Sequence, residues 1–96
     1  MKTIESINLI YRDPKVRGRR PCIVGTGLRV MDIVMEQQHG ERDPEKIAAL
    51  YEIPIGEVYA ALAYYHEHKK EIDRDIQEDD EYIRRMKADT LGRQPS

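Results

Sequence analysis

Four arginines set close together, Arg17, Arg19, Arg20 and Arg29, are the first residues whose type and spacing suggest chemistry. Guanidinium forks pair with phosphate and carboxylate oxygens two at a time. These arginines belong to a basic first third: residues 1–30 hold seven Lys or Arg against two Asp or Glu. Residues 31–66 reverse this with two against seven, and residues 67–96 hold seven against nine. The net charge of −2 therefore conceals a strong asymmetry, which predicts a polyanion-facing surface; the alternative is charge complementarity within the protein or between subunits.

The remaining reactive side chains point away from catalysis. His66 and His68 are spaced i, i+2, about 200° apart on a helix, and cannot chelate one ion together. The carboxylates Asp73, Asp75, Glu78, Asp79, Asp80 and Glu81 lack the glycine and the loop spacing of a calcium site and read as a solvated face. Gly25-Thr26-Gly27 has neither a following Lys-Ser/Thr nor a completed dinucleotide fingerprint, and reads as a turn. Cys22, the sole cysteine, lies in an apolar run without a nearby His, as a buried structural thiol does. It also excludes an internal disulfide or a four-cysteine zinc module. No pair of titratable groups stands out as acid and base, so a non-enzymatic protein without cofactor or metal is expected.

The elements that carry these residues follow from periodicity. Ninety-six residues with 40% apolar content, no Trp and no Phe suit one lean core of aliphatic side chains. No apolar run reaches about 18 residues, and the N-terminus lacks a signal-peptide core, so no membrane association and a cytoplasmic location are expected. Ile7, Leu9 and Tyr11 alternate as in a short strand ending at Asp13-Pro14, and Pro21–Val24 is a second extended piece before the glycine turn. Val30, Ile33, Val34 and Met35 take helical spacing, with Gly40 placed to end that helix. Asp43-Pro44-Glu45 then supplies an N-cap, a preset φ at N1 and an acid at the positive helix end. Ile53-Pro54-Ile55-Gly56 is a tight break before a third helix carrying Val58, Ala61, Leu62 and Tyr65. Two helices so joined have the shape of a helix-turn-helix or of an ordinary helical hairpin.

From Tyr65 the chain meets no Gly or Pro until Gly92. The third helix is predicted to run from about residue 55 to 89, roughly 50 Å, longer than such a domain is wide. Residues 1–66 are accordingly assigned to the domain, and residues 67–96 to an extended C-terminal helix and tail. Ile72, Ile76, Ile83 and Met86 fall on one heptad stripe, interrupted at Lys69 and Asp79, and are predicted to bind a partner. The alternative is folding back through a bend at Gln77–Asp80. Pairing of the stripe in a homodimer is also expected.

Three segments resemble one family. Gly18–Gly27 is similar to the G-x-P-x-I-x-G-T segment of the bacterial proteins called domain of unknown function 433, Asp43–Ala48 to its S-P-E-E-I-A helix start, and Val58–His66 to its V-Y-A-A-L-A-Y-Y-H stretch. The resemblance spans roughly residues 7–81. It implies a mainly α fold: a small N-terminal β element, a three-helix helix-turn-helix core and a long C-terminal helix. It also implies an antitoxin of a type II toxin–antitoxin pair, binding a PIN-like ribonuclease toxin and operator DNA. Two departures stand out: Gly27 occupies a position where many members carry Arg, and Pro54 replaces the usual Ser or Thr cap. The third helix has no Lys or Arg before Lys69, so DNA attraction is expected from Arg17, Arg19, Arg20 and Arg29, with Tyr59 as the helix's own contact. The alternative function is a self-associating scaffold or adaptor without DNA binding.

Overall fold

Short-range signals account for the start of the fold in the computed structural model, which describes the backbone of residues 1–92 and the side chains of residues 1–90. Strands β1 (Ile10–Tyr11) and β2 (Cys22–Ile23) pair antiparallel, with Ile10 opposite Ile23 and Tyr11 opposite Cys22. Pairing begins at Ile10 rather than at Ile7, which is exposed, and Ile10 is the residue turned onto the core. Thr26 closes the following turn: its hydroxyl donates to Ile23 O (2.9 Å) and accepts from Leu28 N–H (3.0 Å). Gly25 and Gly27 flank it at φ 78° and 72°, a region that favours glycine.

Helix α1 (Val30–Gln38) starts where the Asp32 carboxylate accepts the Arg29 N–H at 2.9 Å, and it buries Val30, Met31, Ile33 and Val34. It stops at Gln38 with Gly40 just beyond its cap, as expected, but for a different reason. The left-handed residue is Glu41 (φ 52°), while Gly40 lies so near the helix that a Cβ would stand 2.8 Å from Glu36 O. Helix α2 (Pro44–Tyr51) is capped by Asp43, whose carboxylate accepts the Lys46 N–H at 2.9 Å. Its end at Glu52 is left-handed, and the Ile53 N–H returns to Ala48 O at 3.0 Å. Helix α3 (Ile55–Glu67) follows after this three-residue connection and packs Val58, Ala61, Leu62 and Tyr65 against α1 and α2. Helices α2 and α3 thus form a tightly connected, packed helix pair.

The expected continuous third helix is corrected at one residue. His68, at φ −132° and ψ 38°, ends α3, and a separate helix α4 (Lys69–Gly92) begins. The break lies at His68, not at Gln77–Asp80. The His68 ring stacks on Tyr64 with centroids 4.0 Å apart, and its carbonyl accepts the Ile72 N–H at 3.0 Å. The turn sends the first half of α4 back across α1 and α3, so Ile72 is fully buried in the core with Ile23, Ile33, Ile47 and Val58. Ile72 is therefore not the free partner anchor that the stripe suggested. Beyond Ile76 the helix outruns the core, and the molecule measures 73 × 29 × 23 Å.

Candidate functional site

The basic segment and α4 build one site together. After β1, three successive residues take left-handed backbone: Arg17 (φ 49°), Gly18 (φ 65°) and Arg19 (φ 67°). Asp13 and Val16 hold this turn, their carbonyls accepting the Val16 and Arg19 N–H groups at 3.0 and 3.1 Å. Left-handed backbone costs a non-glycine residue about 1 kcal/mol or more. The turn swings Arg20 toward α4, where its guanidinium lies 3.8 Å from Asp75, 3.6 Å from Glu78 and 3.8 Å from Asp79. Arg29 grips Asp32 with two nitrogens, at 3.2 and 2.8 Å, and stands 3.9 Å from Asp79. That fork raises the Arg29 guanidinium pKa above its ordinary value. Arg12 pairs with Glu71 and donates to the Tyr64 hydroxyl at 2.7 Å.

Glu71, Asp75, Glu78 and Asp79 share one face of α4 by their i, i+4, i+7, i+8 spacing, next to the face carrying Ile72 and Ile76. Ionic pinning and apolar burial therefore hold the same two turns. Asp75 carries an electrostatic cost: its Oδ2 is buried without a partner, and burial pushes its carboxyl pKa up despite the opposing pull of Arg20.

The predicted nucleic-acid residues divide accordingly. Arg20 and Arg29, with side chains 21% and 16% exposed, are committed to carboxylates. Arg17 has only Asp32, at 3.9 Å, and Arg19 has no ion pair among the described residues. Tyr59 is exposed on α3, which carries no Lys or Arg, and does not line the cleft between the basic turn and α4. That cleft, about 1230 Å³, also takes in Arg74 and Tyr82, neither of which was singled out from sequence. The signal for this pairing lay in the charge complementarity and in the helical spacing of the α4 acids.

The apolar stripe divides too. Ile72 is core and Ile76 half-buried, whereas Ile83 and Met86 are 44% and 50% exposed and Tyr82 is 62% exposed. Between the end of α1 and α4 runs a groove of about 570 Å³ lined by Met35, His39, Ile76 and Ile83. Cys22 is buried, and burial raises its thiol pKa, which disfavours the reactive thiolate. Among the described residues, no helix is long and apolar enough to cross a membrane.

A family model described as "Protein of unknown function (DUF433)" matches residues 10–65, more than half of the 96-residue chain. No curated protein and no solved structure matches it. The matched span covers the strand pair, α1, α2 and all but the last two residues of α3, and stops before α4.

Proposed function

The chain belongs to the family described as Protein of unknown function (DUF433), and from that premise we propose that it is a non-enzymatic, antitoxin-like regulator acting in the cytoplasm. In this reading the distal half of α4 binds a PIN-like ribonuclease, and the helix-turn-helix with the basic turn contacts operator DNA. One observation carries it: α4 leaves the core after Ile76 with Ile83 and Met86 still uncovered on one face. Apolar side chains spaced i, i+3 on an exposed helix suit a groove in a partner. The acids Asp80 and Glu81 beside them suit a groove edged with the Lys and Arg by which a nuclease holds RNA. In the free protein the same stripe pairs two copies as a homodimer, which the ribonuclease replaces. DNA attraction falls to Arg17 and Arg19, the two predicted arginines that α4 leaves open.

Co-expression with a PIN-like ribonuclease tests the reading. The wild-type chain restores growth, whereas Ile83→Asp with Met86→Asp, both outside the core, loses protection while each chain stays folded with native helix content. Full protection by that variant refutes ribonuclease binding through α4. A variant that protects no cells and also turns from dimer to monomer supports a stripe shared between second copy and partner.

A further inference from the structure

We propose that the open cleft between the Arg17–Arg19 turn and α4 binds a phosphate group, held by Arg17, Arg19 and Arg74, with the Glu78 carboxylate as the internal group it displaces. Six arginines line the cleft against three carboxylates, Glu71, Asp75 and Glu78. Three of the six are spent: Arg12 on Glu71 and Tyr64, Arg20 on the α4 acids, and Arg29 on Asp32. Arg19 and Arg74 have no ion pair among the described residues, and the nearest carboxylate oxygen to Arg17 is 3.9 Å away. Three open guanidinium groups around one cavity repel one another, and an oxyanion among them converts that repulsion into forked, charge-assisted hydrogen bonds.

The backbone points the same way. Arg17 and Arg19 both occupy left-handed conformations, a strain that persists where surrounding structure imposes it and that clusters at ligand sites. Glu78 is the weakly held acid: its side chain is 58% exposed, against 14% for Asp75 and 24% for Asp79, and it meets Arg20 at 3.6 Å. Exposed pairs of this kind contribute only about 0–1 kcal/mol, so a phosphate held by Arg17, Arg19 and Arg74 also reaches Arg20 by displacing Glu78, while Asp75 and Asp79 keep α4 in place. Tyr82, exposed at the rim, offers a hydroxyl donor. None of these groups is Ile83 or Met86, so the cleft stands apart from ribonuclease binding. It deepens the DNA part of the reading above and rests on it for the duplex alone.

Calorimetric titration of the full chain with inorganic pyrophosphate, and separately with a short DNA duplex from upstream of its gene, tests the proposal. Pyrophosphate is expected to bind the wild-type chain. Arg17→Gln with Arg19→Gln and Arg74→Gln is expected to weaken it by about tenfold or more, and Glu78→Gln to tighten it, with unfolding midpoints unchanged. Pyrophosphate binding without duplex binding supports the cleft and removes the operator reading. Duplex binding that the triple variant leaves intact overturns the cleft and also the assignment of DNA attraction to Arg17 and Arg19, and keeps DNA binding only through another surface. Pyrophosphate affinity unchanged in the triple variant, weaker in Glu78→Gln, or absent from the wild-type chain overturns the proposal.

Discussion

Ile72 shows how one residue changes the meaning of a pattern. Its place in the heptad stripe is real, yet its side chain fills the core beside Ile23 and Val58. Ile72→Ala is expected to cost about 2–5 kcal/mol by cavity formation, read from chemical denaturation; a loss below about 0.5 kcal/mol would mean that the first half of α4 is not docked. Changing Ile72 together with Ile76 to Asp therefore unfolds the protein rather than isolating a binding defect. Asp75 works in the opposite direction. Its folded-state pKa lies above the ordinary value, chiefly because of burial, so its contribution favours the fold below the unfolded value and is lost as pH rises through the folded one. At neutral pH the ionised, partly orphaned carboxylate is destabilising. Asp75→Asn should raise the unfolding midpoint at pH 7, and the difference from wild type should shrink below about pH 4. A variant less stable than wild type at pH 7 would show that the Arg20 ion pair outweighs the burial cost.

At the scale of elements, α1 to α3 were legible because local signals agree with tertiary packing: aliphatic residues recur at helical spacing, and Asp43-Pro44 and the Ile53-Pro54 break mark boundaries. The break at His68 was not legible, since no Gly or Pro marks it. It accompanies the tertiary burial of Ile72 in the core and a local stacking of the His68 ring on Tyr64, which no continuous helical pattern announces. The arginine pairing was hidden for a related reason: Arg20 meets Asp75, Glu78 and Asp79 from more than fifty residues away in sequence, beyond the reach of any local period. The candidate site was thus half visible, with Arg17, Arg19, Ile83 and Met86 exposed as read, and Arg20, Arg29 and Ile72 absorbed by the fold. Ionic docking of α4 makes its stability salt-sensitive. Arg20→Met keeps an unbranched apolar stem but removes the charge, together with the guanidinium nitrogen that donates to Met31 Sδ at 3.5 Å, so it should cost about 1 kcal/mol at low salt and nearly nothing near 1 M salt. Equal loss at both salt concentrations would assign the role of Arg20 to packing.

For the whole molecule, part of the positive charge of the first third is neutralised inside the chain, through Arg12, Arg20 and Arg29 against α4. The unresolved remainder is spatially divided: open arginines at the turn, and open apolar residues toward the far end of α4. A Cα radius of gyration of 16.3 Å, against about 13 Å for a compact chain of this length, reflects that projecting helix. Its exposed turns have few buried contacts to protect them, which places them at the low-stability end of the structure. Amide hydrogen exchange, with and without a PIN-like ribonuclease as the proposed partner, tests this division most directly. In the free protein, diluted until the homodimer dissociates, residues 69–79 should exchange slowly with the core and residues 81–90 quickly. On addition of the partner, protection should rise along 81–90 while α2 and α3 stay unchanged. Protection gained on α2 and α3 with 81–90 still exchanging fast would contradict α4 as the partner-binding element.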